Sequence, residues 1–217
     1  MKNFSLIITA GGTSSRYGKQ NKLLEKINNL TVIEHTVNKF INIDCINEIV
    51  IPANLSIINE IKNIFNNYSK IKIIEGGKTR QGSVYNALKQ VTNEYVLIHD
   101  GARPLISENV IDSAIKSVLE FNAVSVMTKT TDTIKEVDES GKIIRTIDRS
   151  KLYNTQTPQG FKTSIILEAH EKLKDKTFTD DASMLEELEI PVYIVEGEYT
   201  NIKITTKSDL DFAKIYI

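Results

Sequence analysis

The sequence predicts an α/β protein: a mostly parallel β-sheet covered by helices on both faces, with a β-hairpin arm protruding from it. Two observations carry this. From residue 4 to residue 128, short continuously apolar runs alternate with segments whose apolar residues recur at helical spacing. Between 130 and 156 the pattern changes to apolar–polar alternation about the turn "DESG". With 217 residues and 41% hydrophobic content, the chain can bury one sizeable core. No repeat and no Pro/Gly/Ser-rich linker divides it, so residues 1–217 are read as a single domain. The 130–156 arm is set within it as an expected dimerisation element.

Taken in order, "FSLIITA" (4–10) reads as a buried strand, and "TVIEHTVNKFI" (31–41) places Val32, Ile33, Thr36, Val37 and Phe40 on one helical face. "EIVIPA" (48–53) is a strand, "IINEIKNIFNNY" (57–68) a helix and "IKIIE" (71–75) a strand. "RQGSVYNALKQV" (80–91) is helical and "YVLIH" (95–99) a strand. "SENVIDSAIKSVLEF" (107–121) is a helix with Ser107 as N-cap, followed by the strand "AVSVMT" (123–128). The arm is too polar for a central strand pair. Beyond it come helices at 163–174 and 180–188, the runs "VYIVEG" and "NIKIT", and a last helix from Ser208.

Composition removes several functions. A net charge of -1 gives no bulk basic field for general nucleic-acid binding. Cys45 is the single cysteine, so no internal disulfide can form, and a reducing cytoplasm is the expected location. "MKNFSLIITAGG" meets glycines before a signal-peptide apolar region is complete, and no run approaches the ~18 apolar residues of a membrane span.

In parallel sheets ligands sit beyond the carboxyl ends of the strands, where two glycine-bearing loops lie. "AGGTSSRYGKQNK" (10–22) fits neither the G-x-G-x-x-G nor the G-x-x-x-x-G-K-[ST] spacing. Its chemistry still suits a polyphosphate: glycines let backbone N–H groups approach oxygens, and Arg16 and Lys22 supply charge. A plain surface turn is the simpler alternative. In "GGKTRQGSVYNAL" (76–88), Gly77 and Ser83 either shape a nucleobase pocket or merely cap a helix, and Arg80 is either a surface charge or a pocket wall. "HDGARP" (99–104) sets Asp100 just past a strand, where it can hold a divalent metal against phosphates or form an Asx-turn; Arg103 can pair with it or grip a phosphate. "DT" (132–133) and "DR" (148–149) lie on opposite strands of the arm, where structural ion pairs are the default. Lys203, flanked by isoleucines, fits the exposed face of an edge strand. His35, His99 and His170 show no metal-ligand spacing.

The order of these segments is more specific than any of them. "AGGTSSRYG", "GGKTRQGSVYNAL", "HDGARPLIS", "DTIKEV", "DRSKLYNTQTPQGF", "TDDASMLEE" and "EGEYTNIKITTKSDL" together resemble the 2-C-methyl-D-erythritol 4-phosphate cytidylyltransferase family. The resemblance implies a Rossmann-like fold of the nucleotide-diphospho-sugar transferase type. It implies transfer of CMP from CTP, assisted by Mg²⁺ or another divalent cation, to methylerythritol phosphate in non-mevalonate isoprenoid synthesis. Ala10, Gly11, Gly12 and Ser14 would form the phosphate loop, with Arg16 and Lys22 on the triphosphate. Gly77 and Ser83 would contact cytosine and ribose, and Asp100 would place the metal. Lys203 would act near the α-phosphate and the acceptor, and Arg103 would also serve the acceptor. Thr133 and Arg149 would hold the acceptor phosphate in the partner's site of a homodimer. No nucleic acid or membrane partner is expected. Lys22 is preferred to Lys19 because it keeps the family's relation to "LLEK". The rivals are a ribitol-5-phosphate cytidylyltransferase, disfavoured by "TDDASMLEE", and a catalytically silent nucleotide-binding module, which should have lost one of Arg16, Lys22 and Lys203.

Overall fold

The computed structural model describes residues 2–12, 17–18 and 21–217. Its elements are β1 (Phe4–Thr9), β2 (Lys26–Ile27), β3 (Leu30–Thr31), α1 (Val32–Asn38), β4 (Ile46–Ala53), α2 (Ile58–Ile64), β5 (Ile71–Glu75), α3 (Arg80–Leu88) and β6 (Tyr95–Asp100). The chain continues through α4 (Glu108–Phe121), β7 (Ala123–Lys129), β8 (Lys135–Val137), β9 (Ile143–Thr146), β10 (Tyr153–Lys162), α5 (Thr163–Lys172), α6 (Ala182–Glu187), β11 (Tyr193–Glu196) and α7 (Lys207–Tyr216).

A seven-stranded sheet runs β11-β7-β10-β6-β1-β4-β5. Its pairs are parallel except where β10 lies antiparallel to both β6 and β7. Period-two alternation sends β1 side chains to opposite faces. Phe4, Leu6 and Ile8 join an apolar cluster with residues of α1, α2, α4 and α7; Ile7 joins another with residues of α3, α5 and α6. Each fully buried Leu or Ile contributes about 1.5–3 kcal/mol relative to exposure, so this double layer fixes the sheet on which the loops stand. The helices start where local chemistry satisfies their first N–H groups. Ser107 Oγ accepts from Val110 N at 3.3 Å, and Thr31 and Thr206 form capping boxes with Glu34 and Asp209.

The arm differs from expectation at its C-terminal side. Its turn lies at "DESG", where Gly141 takes a φ of +84°, but the ladder is limited to β8 and β9. Thr133 and Arg149 flank that ladder outside both strands. Residues 153–156 belong instead to β10, which lies within the main sheet. The stretch looked too polar for such a place because it holds Asn154, Thr155 and Gln156, and the polar run continues through Thr157 and Gln159. The register breaks between Thr155 and Gln159, where Pro158 needs no ladder hydrogen bond. The buried polar side chains find partners: Gln159 Nε2 donates to Ser125 Oγ at 3.0 Å, and Gln156 Nε2 to Glu198 O at 2.8 Å. Among the described residues no helix is long and apolar enough to cross a membrane.

Candidate active site

The carboxyl ends of β1 and β6, with the first turn of α3, border a cavity of 240 Å³ whose lining includes Gly11, Gly12, Lys22, Ser83, Asp100 and Lys203, together with Thr9, Tyr17, Arg80 and Thr205. A second cavity of 380 Å³ opens beside it, lined by Arg103, Thr155, Thr157, Thr179, Asp180 and Ser183 among others. Arg80, Asp100 and Lys203 line both.

Asp100 is the electrostatic centre. The last residue of β6, it is 5% exposed. Its Oδ2 lies 2.9 Å from Lys203 Nζ and 3.3 Å from Arg103 Nε, and its Oδ1 lies 3.7 Å from Arg80 Nε. Burial opposes the carboxylate's charge, but Lys203, Arg80 and Arg103 outweigh burial and hold Asp100 well below the usual carboxylate range. Its backbone N–H donates to Thr157 Oγ1 at 3.0 Å, and the same hydroxyl meets His99 Nδ1 at 3.0 Å. His99 is fully buried, and burial pushes its pKa down to about 4. A neutral ring with Nε2–H donating to Arg103 O (3.2 Å) and Nδ1 accepting from Thr157 satisfies every partner.

Lys203 is delivered by an irregular segment, and the edge-strand expectation fails there. Asn201 is completely buried, and its Nδ2 donates to Gln156 Oε1 and Thr157 O, both at 3.0 Å. On the residue after Lys203, Ile204 N donates to Ala102 O at 2.8 Å. From this pinned segment Lys203 directs its Nζ to Asp100 Oδ2. Arg103 is largely consumed by structure: it donates to Asn201 O at 2.7 Å and pairs with Asp100, and burial lowers its pKa against that pairing. It still borders the second cavity.

Close approach explains two glycines. A Cβ on Gly11 would lie 2.5 Å from Ser83 Oγ, and one on Gly77 would lie 2.5 Å from the Gly82 carbonyl carbon. Ser83 Oγ accepts from Gly77 N at 3.0 Å and donates to Thr79 O at 2.9 Å, clamping the β5–α3 loop at the cavity wall. Gly77 itself lines neither cavity; its N–H is engaged by Ser83, which does line the first. Ala10 ends the strand: its N–H donates to Pro52 O and its carbonyl accepts from Asn54 N. Both backbone groups of Ala10 are thus engaged in the bridge to the end of β4, at the root of the glycine loop. Ser14 and Arg16, like Lys19, lie outside the described residues. Thr133 and Arg149 are exposed on the arm and line neither cavity.

Residues 4–217 match the family model described as 2-C-methyl-D-erythritol 4-phosphate cytidylyltransferase. The chain belongs to that family. A relative of that name from Dictyoglomus thermophilum is 43% identical over 94% of this chain and 92% of its own length. One from Clostridium botulinum is 41% identical over 97% and 95%. The crystal structure of 4-diphosphocytidyl-2C-methyl-D-erythritol synthase from Anaerococcus prevotii superposes with a TM-score of 0.88 at 33% identity, covering 99% of this chain and 96% of that one. The cytidylyltransferase from Thermus thermophilus gives 0.81 at 28%, covering 100% and 98%. The fold is therefore an α/β nucleotidyltransferase fold, and the chain is a methylerythritol phosphate cytidylyltransferase of isoprenoid synthesis.

Within this cytidylyltransferase, sequence reasoning left Asp181, Gln159, Thr157 and Asn201 without roles. "TDDASMLEE" was a signal for Asp181, since adjacent acids before a short helix are costly to bury without a purpose. Nothing local marked the others, whose partners lie tens of residues away.

Proposed function

We propose that the first cavity takes the triphosphate of CTP and the second the phosphate of 2-C-methyl-D-erythritol 4-phosphate, and that the phosphoryl bond is exchanged where they meet. An oxygen of the acceptor phosphate attacks the α-phosphorus of CTP. The bond from that phosphorus to the bridging oxygen breaks, its electrons leave with pyrophosphate, and 4-diphosphocytidyl-2-C-methyl-D-erythritol remains. A phosphate monoester, with a second pKa of ~6, is already mostly dianionic near neutrality, so no general base is required. What the protein must supply is position and positive charge. Lys22 stabilises charge growing at the α-phosphorus, and Lys203 holds the two phosphates together. Gly11 and Gly12 let the chain approach the triphosphate, with Ser14 and Arg16 completing that loop. Thr133 and Arg149 hold the acceptor from the arm of a second copy.

The residues fit a divalent cation shared with the substrate. Asp100 is held ionised at the cavity wall, and one carboxylate plus phosphate oxygens and water is a common Mg²⁺ environment. Among the described residues no group of three or more His, Cys, Asp or Glu forms a protein-only cage. Bound there, the cation would neutralise phosphate charge. The cytoplasm is the proposed compartment.

The observation that carries this reading is the meeting of two cavities at Lys203 and Asp100. Its test is pyrophosphate release from CTP and Mg²⁺, with methylerythritol phosphate and ribitol 5-phosphate supplied separately. Release with the first alone is expected. Equal release with ribitol 5-phosphate would overturn the acceptor, and release with neither would overturn the transfer.

A further inference from the structure

We propose that Arg80 is a further catalytic residue of this transfer and that Asp181 is its positioning residue; the inference rests on the transfer reading above. Two polyanions must meet where the cavities join, and Arg80 lines both. It is the first residue of α3, after the Thr79 N-cap. Its side chain is 28% exposed, so it is partly open where it lines the two cavities.

The guanidinium is held from behind. Arg80 Nη1 lies 2.8 Å from Asp181 Oδ2, while Nε faces Asp100 at 3.7 Å. Asp181 is 1% exposed and borders neither cavity. A carboxylate so buried requires cationic partners. Arg80 is one, and on the other side His170 Nε2 lies 3.4 Å from Oδ1. Burial opposes the charges of both Arg80 and Asp181, yet their mutual attraction prevails: the Arg80 pKa rises and that of Asp181 falls. The Asp181 Oδ2 contact is ionic rather than an aligned hydrogen bond. It therefore fixes the charge without saturating the donor fork. Asp181 is itself rigid, since Gln159 Oε1 accepts from the Asp181 and Ala182 N–H groups at 3.1 and 3.2 Å. A planar fork held at one end presents its other N–H groups to phosphate oxygens in a fixed direction.

The test measures pyrophosphate release by the full chain, with CTP and acceptor varied separately and folding checked by thermal melting. Arg80→Gln should lower kcat about 10²-fold, as removal of one preorganised donor does, with smaller changes in either KM. Asp181→Asn should lower kcat less, and the double variant should be no slower than Arg80→Gln alone. Added methylguanidinium should restore part of the kcat of Arg80→Ala, which a purely structural loss would not allow. If Asp181→Asn does not fold, Arg80→Lys decides: it keeps the charge but cannot hold Asp181 and face the phosphates together, so it should recover only part of kcat. A near-normal kcat in Arg80→Gln, multiplicative losses in the double variant, full recovery in Arg80→Lys, or failure of rescue would overturn the proposal. Absence of turnover by the wild-type chain would instead sink the transfer reading, and this inference with it.

Discussion

At the scale of single residues, the site is one buried carboxylate surrounded by cations, and the cations differ in what else they do. Arg103 is spent on Asn201 O and Asp100, whereas Lys203 is 38% exposed and retains access to ligand. Lys22 lines the first cavity on the short turn that Asn21 caps, Asn21 Oδ1 accepting from Leu23 N at 3.1 Å. If Lys22 carries charge to the α-phosphorus, Lys22→Ala should lower kcat at least ~10²-fold with little change in melting temperature. A near-normal rate would move that role to Lys19. Arg149→Ala should raise KM for the acceptor more than for CTP; equal effects would remove it from the acceptor phosphate. Lys22 and Asp100 were readable as candidates because a glycine loop and a strand end announce phosphate chemistry locally, whereas Ser83 and Lys203 took their roles only from the family resemblance. Arg80 was legible only as an ambiguity. Its meaning depends on Asp181, about a hundred residues on, and no local pattern encodes that pairing.

At the scale of elements, β6 and β10 build the site together. Asp100 ends one strand, Thr157 sits in the other, and His99 joins them. The strand–helix alternation of the first half was readable because apolar periodicity reports burial directly. β10 escaped because its buried positions are polar, and they are polar because they orient the site: Thr157 supports Asp100, and Gln159 supports Asp181. The same network gives a pH prediction. The His99 pKa falls from 6.5 to about 4 on folding. Between those values the unfolded chain binds a proton that the folded chain does not, so stability is complete above that window and declines as pH falls through it. Asp100 and Asp181, whose pKa values also fall on folding, add stability that is lost only as pH drops below the ordinary carboxylate value. Thermal melts should show a decline already between pH 6.5 and 4.5, and His99→Gln should flatten it. An equal slope in wild type and variant would assign the decline elsewhere.

At the scale of the whole molecule, the arm sets the decisive question. Among the described residues β8 and β9 pair only with each other, and Val137, Ile143 and Ile144 are 53%, 58% and 57% exposed. An isolated two-stranded hairpin is marginal in water, so the arm needs a surface to rest on, and a second copy of the chain would supply one through a two-fold interface. In that arrangement each active site takes Lys22 from one subunit and Arg149 from the other. Lys22→Ala and Arg149→Ala chains, each defective alone, then complement each other on mixing. In a heterodimer the site built on the Arg149→Ala core keeps its own Lys22 and receives an intact Arg149 from its partner, while the other site carries both defects. Random exchange makes about half the dimers heterodimers and leaves one of their two sites whole, so about a quarter of the wild-type activity should return. The assay belongs at acceptor concentrations well below KM, where the Arg149 defect is fully expressed. If the arm served its own subunit, every site in the mixture would carry one defect and no activity would return. The outcome thus decides between a site shared by two chains and one completed within a single chain.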